Sequence, residues 1–422
     1  MKSIKFMPIG GAQNVGESSY FLQLGDTNIL LDAGANCGQG FHSGPNYYYL
    51  LSAQCLESYK QINQIFISHA HWDHIGYLPE VVRATGATVY MTEMTAMLAE
   101  HQLYDKEFLG ISGKAHEEAR RLAIRQMLDH VVKVNYLQTI DFGTYKVTFL
   151  PAGHIPGAMM MLFEYAGKKI LYTGDYSTDV TALTEGCVYP EEEIDAMILC
   201  GLNAKRPCQP NQDLSIDVLY QALSKVFSYV NWGKSVICHV PQLSKGVEFL
   251  KEMDVFNINH VPIYVDESIM AVVEKMEKMS VPILSQDIHV ANGTRPAGTH
   301  IYVTAKKAEK VNSNYEVVHV DFSLHDDFTS TVEFIKKLNP KTCYVVHCAQ
   351  QRIHIPVEII SKDTPRREEY SPAAEKERIL AGLRYPNALT STLETVLRKD
   401  PSNRTEVIFP TEGILYRVNK MY

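Results

Sequence analysis

Four side chains able to bind a metal ion stand within six residues at His69-Ala70-His71-Trp72-Asp73-His74. Imidazole nitrogens suit zinc, and a carboxylate among them suits a second ion close by. The run follows directly on the apolar stretch Gln64–Ser68. A loop leaving a strand end turns several side chains into one space, which a regular helix or strand does not do at this density. Three isolated residues share that setting. His154 sits in the turn Pro151–Gly157, Asp175 closes Tyr172-Thr173-Gly174-Asp175, and His347 closes Tyr344-Val345-Val346-His347. Grouped, His69, His71 and His154 are expected to hold one ion, and Asp73, His74 and His347 another. Asp175, with its two oxygens, is expected to bridge them. Such a set leaves each ion an open position for water, which marks a catalytic rather than a structural site. The expected cofactors are two zinc ions, with manganese also suited to mixed nitrogen and oxygen ligands. Two ions ~4 Å apart share a hydroxide and stabilise both the attacking and the leaving oxygen of a displacement. The chemistry is therefore hydrolysis of a phosphodiester or another ester, with Asp73 counted among the catalytic groups. Asp32, which ends Leu30-Leu31-Asp32, is expected either to orient a ligand histidine from behind or to cap a turn.

The elements that must position these residues are legible from apolar period and turn chemistry. Strand patterns run over Ile4–Pro8, Ser18–Leu24, Asn28–Asp32, Gln64–Ser68 and Ala87–Met91, with helices expected at Ile75–Thr85 and Lys114–His130. Further strands are expected at Tyr145–Leu150, Met159–Tyr165, Lys169–Thr173 and Ala196–Cys200. From about Asn203 the pattern alternates helix and strand: Ser215–Val230, Ser235–His239, Ser244–Met253, Val261–Val265 and Glu267–Lys278. Sheet character resumes at Glu316–Phe322 and Thr342–His347. Helices near Ala373–Leu383 and Thr390–Arg398 and a hairpin of Val407–Phe409 with Ile414–Val418 are expected to close the chain.

Composition narrows the field. A formal net charge of −8 excludes nucleic-acid binding by bulk electrostatics, so any such contact needs a local basic patch. The eight cysteines include no CxxC pair, which fits a reducing compartment better than a disulfide framework. No apolar run approaches the ~20 residues of a membrane span, and the stretch before Pro8 does not read as a signal peptide. A cytoplasmic protein without membrane contact is expected.

The metal-binding residues resemble the HxHxDH signature of the metallo-β-lactamase superfamily, matched by His69–His74. The likeness is closer to its β-CASP nuclease branch, which includes ribonuclease J, the endonuclease of the cleavage and polyadenylation factor, and the DNA nuclease Artemis. Gly10–Gly16, Ser68–Gly76 and Ala152–Ala158 look like the N-terminal motifs of that branch. Gly233–Pro241 with Val261–Asp266 looks like the inserted β-CASP domain, and Phe322–Asp326 and Val345–His347 look like motifs B and C. The resemblance implies an α/β architecture: an αββα sandwich at 1–202 and 319–422, interrupted by an α/β β-CASP insertion at 203–318. It implies that His325 acts as a general acid on the leaving group. A histidine at motif C is the pattern of RNA-acting members, so the expected activity is a metal-dependent ribonuclease, endo- or 5′-exonucleolytic, acting on RNA rather than DNA. A homodimer or a larger complex is left open.

Departures from the family pattern keep two rivals alive. Cys200 stands where motif A usually supplies an acid, and Val303–Lys307 replaces the family's phosphate-contacting Ser-Ser-Gly loop. Lys306 and Lys307 are expected either to bind phosphate as point charges or to be an ordinary solvated pair, and Arg366–Arg367 is either a basic patch or a loop. The rivals are a metallo-hydrolase of small esters or nucleotide phosphodiesters, and a non-catalytic scaffold subunit.

Overall fold

A computed structural model describes residues 3–36, 43–105, 113–204, 215–241, 243–291, 298–305, 315–320, 322–348, 393–394 and 396–418. Lys306, Lys307, Arg366–Arg367, the helix expected near 373–383 and the first residues of the helix expected at 390–398 lie outside them.

The chain opens with β1 (Ile4–Gly10), β2 (Ser19–Leu24), β3 (Thr27–Leu31), β4 (Ile62–Phe66), β5 (Thr88–Thr92) and β6 (Val131–Val134). A second set follows: β7 (Thr139–Asp141), β8 (Lys146–Pro151), β9 (Met159–Tyr165), β10 (Lys168–Tyr172) and β11 (Ala196–Cys200). A third comprises β12 (Ser235–His239), β13 (Ile263–Val265), β14 (Ile288–Val290), β15 (Ile301–Thr304) and β16 (Tyr315–His319). The chain then returns through β17 (Thr342–Val346), β18 (Glu406–Ile408) and β19 (Tyr416–Val418). These strands form three sheets, ordered β19-β1-β2-β3-β4-β5-β6, β18-β17-β11-β10-β9-β8-β7 and β14-β13-β15-β12-β16.

The first two sheets stack face to face, and period-two alternation explains how. Along β11, Ala196, Ile198 and Cys200 point into the space between the sheets, whereas Met197 and Leu199 join the outer core with Phe334 and Ile335 of the helix Phe328–Leu338. Rings meet across the gap: Phe6 with Tyr344 at 5.0 Å, Phe66 with Phe163 at 5.4 Å, and Tyr20 with Tyr172 at 5.7 Å. Helices Leu78–Thr85, Glu93–Tyr104 and Lys114–Leu128 contribute Val81, Leu98 and Ile124 to the outer core with Ile65 and Val89 of the first sheet. The result is an αββα sandwich.

The third sheet is parallel throughout, a pairing that requires crossovers. The helix Ser215–Asn231 precedes its first strand, and the helices Lys245–Phe256 and Glu267–Lys278 lie between its strands in sequence. It is an excursion from the sandwich: β11 and β17, which flank it in sequence, are hydrogen-bonded neighbours, Ala196 pairing with Thr342 and Cys200 with Val346.

The expected C-terminal hairpin does not form. β18 pairs with β17 in one sheet, and β19 pairs with β1 in the other. An alternating apolar pattern specifies a strand but not its partner. Pro410, without an N–H, and Gly413, at φ 75° with its N–H donated to Pro8 O, instead carry the chain from sheet to sheet. Among the described residues no helix is long and apolar enough to cross a membrane.

Candidate metal centre

The chemical residues sit at strand ends along one edge of the sandwich. After β4 the chain runs extended to His71 and then turns into the single helical turn Trp72–Ile75, which presents Asp73 and His74. His154 follows β8, Asp175 follows β10, and His347 follows β17. Two backbone features hold these ends together. Gly34 must be glycine because a Cβ there would lie 1.7 Å from the Asp73 carbonyl oxygen, and that close approach lets Ser18 N–H donate to Asp73 O at 2.9 Å. His347 adopts φ 54° and Asp32 φ 59°, a left-handed conformation that costs a non-glycine residue ~1–3 kcal/mol and is retained where the surroundings over-determine it. Here Asp32 N–H donates to Phe66 O at 2.9 Å and His347 N–H to Gly11 O at 2.8 Å.

The structure brings all seven expected ligands together, in two groups. His69, His71, His154 and Asp175 form one, and Asp73, His74 and His347 the other; within each group the candidate ligand atoms lie within 4.8 Å of one another. Asp175 Oδ2 stands between the groups, 3.7 Å from His69 Nε2, 3.5 Å from His74 Nε2, 3.9 Å from His154 Nε2 and 3.8 Å from His347 Nε2. His69, His74, His154, Asp175 and His347 are buried, and His71 and Asp73 face the opening.

Each imidazole turns one nitrogen inward and rests the other on a partner. His69 Nδ1 lies 3.0 Å from Ser68 Oγ, His71 Nε2 3.2 Å from Ser244 Oγ, and His74 Nδ1 2.7 Å from Asp32 Oδ2. His154 Nδ1 donates to Leu324 O at 2.8 Å, and His347 Nδ1 lies 3.0 Å from Ser18 Oγ. Outer contacts of this kind fix the tautomer and ring orientation of metal-binding histidines. Asp32 is itself saturated: its carboxylate accepts from Ser68 N–H and Ser68 Oγ at 2.7 Å each and from the Tyr172 hydroxyl. Of these partners, sequence reasoning reached only Asp32. The serines and the Leu324 carbonyl carry no signal of their own, because their role depends on which histidine the fold sets beside them.

The electrostatics suit a cation. Burial, and next the neighbouring imidazoles, push His69 and His71 well below the usual histidine range; burial also lowers His154. A downward shift favours the neutral ring, the form that binds metal. Burial acts the same way on His74, but Asp175 and Asp32 overcome it and carry that ring well above the usual range. Burial raises Asp175, yet His347, His74 and His325 reverse this and hold it well below the usual carboxylate range. Two inward atoms, His74 Nε2 and Asp175 Oδ1, are buried without a hydrogen-bond partner. A buried orphan of this sort calls for an ion or water. The cluster is able to hold divalent metal.

His325 approaches the same carboxylate. Its Nδ1 lies 3.8 Å from Asp175 Oδ2 and its ring 4.4 Å from that of His154. Cys200 faces the inter-sheet core, its thiol 3.9 Å from the Tyr172 hydroxyl and raised well above its usual value by burial. It packs as a neutral buried group and gives His325 no carboxylate.

Against known proteins, residues 13–188 match the profile described as the Metallo-beta-lactamase superfamily. The metallo-β-lactamase match ends shortly before β11, where the excursion begins. Similar proteins include Endoribonuclease YSH1 of Eremothecium gossypii, 28% identical over 61% of this chain and 33% of the relative. Probable RNase MJ4 of Methanocaldococcus jannaschii is 28% identical over 63% of this chain and 60% of the relative. Cleavage and polyadenylation specificity factor 73 of Drosophila melanogaster is 24% identical over 83% of this chain and 60% of the relative. The chain thus spans about a third of the fungal relative and 60% of the other two. These relatives agree with the β-CASP likeness drawn from the motifs. A crystal structure of a protein of unknown function from Enterococcus faecalis shares the fold, with a TM-score of 0.57 over 82% of this chain and 94% of that one, at 12% identity.

Proposed function

We propose that this chain is a metal-dependent ribonuclease with two zinc ions at its centre. His69, His71 and His154 would hold one ion, and Asp73, His74 and His347 the other, with Asp175 shared. Bound ions of this kind supply Lewis acidity to the phosphoryl oxygens and lower the pKa of an attacking water. The observation that carries the reading is the inward convergence of seven side chains whose five imidazoles each rest an outer nitrogen on a partner. The names of the relatives support RNA as the substrate class.

The chain's own residues do the remaining work. Asp175 sets the spacing of the two groups. Ser68, Asp32, Ser18 and Leu324 hold the rings in register. His325 stands beside the centre, 19% exposed at its side chain, within reach of a leaving oxygen. Burial, and next His154, push it well below the usual histidine range. A phosphodiester anion bound beside it opposes that shift and restores its proton affinity, which fits a general acid that loads as the substrate arrives. We take the units as 1–202 and 319–422 for the metallo-β-lactamase domain and 203–318 for the insertion, with substrate entering between them.

The test is cleavage of 5′-labelled linear RNA and circular RNA by purified protein with zinc or manganese. Loss of cleavage with chelator and its return with metal support the proposal. Turnover of a generic phosphodiester without any cleavage of RNA would move the chain to the small-substrate class.

A further inference from the structure

One partner of the metal centre comes from outside the sandwich. Ser244 immediately precedes the helix Lys245–Phe256 of the third-sheet unit, and its Oγ lies 3.2 Å from His71 Nε2. The inward atom of that ring is Nδ1, 3.0 Å from His69 Nε2 and 3.2 Å from His154 Nε2. His69, His154 and His347 turn Nδ1 outward, onto residues of the sandwich or its returning segment. His71 alone among the five is inverted and held across the seam. The packing around it is open: a cavity of about 170 Å³, lined in part by His101, Asp105 and Leu243, lies against the pair. On that side of the ring the Ser244 hydroxyl is the hydrogen-bond partner, while the rings of His69 and His154 stand 4.7 and 4.9 Å away.

The same helix grips the sandwich a second time. Glu248 lies one turn beyond Ser244, on the same face. Its Oε1 accepts from Ala182 N–H at 2.6 Å and its Oε2 from the Thr181 hydroxyl at 3.1 Å. Thr184, in that loop, donates its hydroxyl to Gly153 O at 2.8 Å, next to His154. The helix thus touches both flanks of the three-histidine group, His71 directly and His154 through the loop.

We propose that Ser244 is a positioning residue for His71, through which docking of the inserted domain sets the metal affinity of the three-histidine site. The hydroxyl accepts the Nε2 proton of His71, fixes the tautomer that leaves Nδ1 free, and holds the ring plane. Affinity at this site and docking of the helix Lys245–Phe256 are then linked, each strengthening the other. The Asp73, His74 and His347 group has no such tie among the described residues. This inference rests on the two-metal reading above.

The experiment is titration of the apo full-length chain with zinc alone against a chromogenic chelator, with apo melting temperature recorded in parallel. Wild type is expected to take up two equivalents. Ser244→Ala is expected to weaken one of them ~10-fold and to leave the other, and the apo melting temperature, unchanged. Ser244→Thr, which keeps the hydroxyl, is expected to restore the affinity. Glu248→Ala is expected to weaken the same equivalent through loss of docking. Wild-type affinity at both equivalents in Ser244→Ala overturns the proposal, as does equal weakening by Ala and Thr. A wild-type chain that binds no zinc overturns the two-metal reading itself, and shows it before any variant is made.

Discussion

His74 Nδ1 lies 2.7 Å from Asp32 Oδ2, and that carboxylate also accepts from Ser68 and Tyr172. Asp32 thereby joins β3, β4 and β10 behind one candidate ligand. Asp32→Asn keeps the volume but turns an amide N–H toward donors. It is expected to lower metal affinity at the His74 group ~10–100-fold. Metal content after dialysis measures this; retention of both ions would make Asp32 a structural cap.

Gly34 shows how tightly the ligand loop is built in. A methyl group there meets the Asp73 carbonyl oxygen, which is backbone and cannot rotate away. Gly34→Ala is expected to cost at least ~3 kcal/mol, at or beyond the usual range for overpacking. Urea denaturation of the apo protein measures the loss, and an unchanged midpoint would contradict the close approach.

Much of this was legible in the sequence, and the reasons differ by residue. His69, His71, Asp73 and His74 announce themselves because four ligand types crowd one strand exit. His154, Asp175 and His347 needed each other, and the same strand-end setting, to stand out. Ser244 was invisible: its meaning comes from a helix docked across the seam, a contact between residues 173 apart in sequence. The helix Glu93–Tyr104 went unread because its buried face mixes the polar Thr95 and Gln102 with Leu98, Ala99 and Leu103, while Met94 and Met97 are only partly buried, although Thr92 caps its start by accepting from Thr95 N–H. The final strands were found, but their partners were misassigned because alternation carries no record of which sheet edge is open. The nearness of Asp175 to His325 was not foreseen.

Removal of His325 is expected to separate chemistry from metal binding. His325→Ala is expected to lower kcat by roughly a hundred- to ten-thousand-fold, the usual contribution of a general acid, with metal content unchanged. Single-turnover cleavage and elemental analysis on the same sample decide it. Parallel loss of metal would instead assign His325 a structural part in the centre.

Glu248 makes stability depend on pH. Burial raises its carboxyl from the ordinary 4.5 to about 7, although Ala182 N–H and the Thr181 hydroxyl pull it down; the nearby Glu252 adds to the rise. The folded chain therefore holds this proton more tightly than the unfolded one. The resulting stabilisation is complete below pH 4.5 and is lost as pH rises to about 7, on the order of 3 kcal/mol in all. Glu248→Gln is expected to flatten the pH dependence of unfolding free energy in that window. An identical slope in wild type and variant would contradict it.

The central claim is that Asp175 is shared by two cations, and elemental analysis of Asp175→Ala beside wild type tests it most directly. Close to two divalent ions per wild-type chain, with both lost or strongly depleted in the variant and RNA cleavage lost alongside, is the expected result. A variant that retains either ion at wild-type occupancy, or a wild-type chain that carries none after growth in zinc and manganese, would contradict the account.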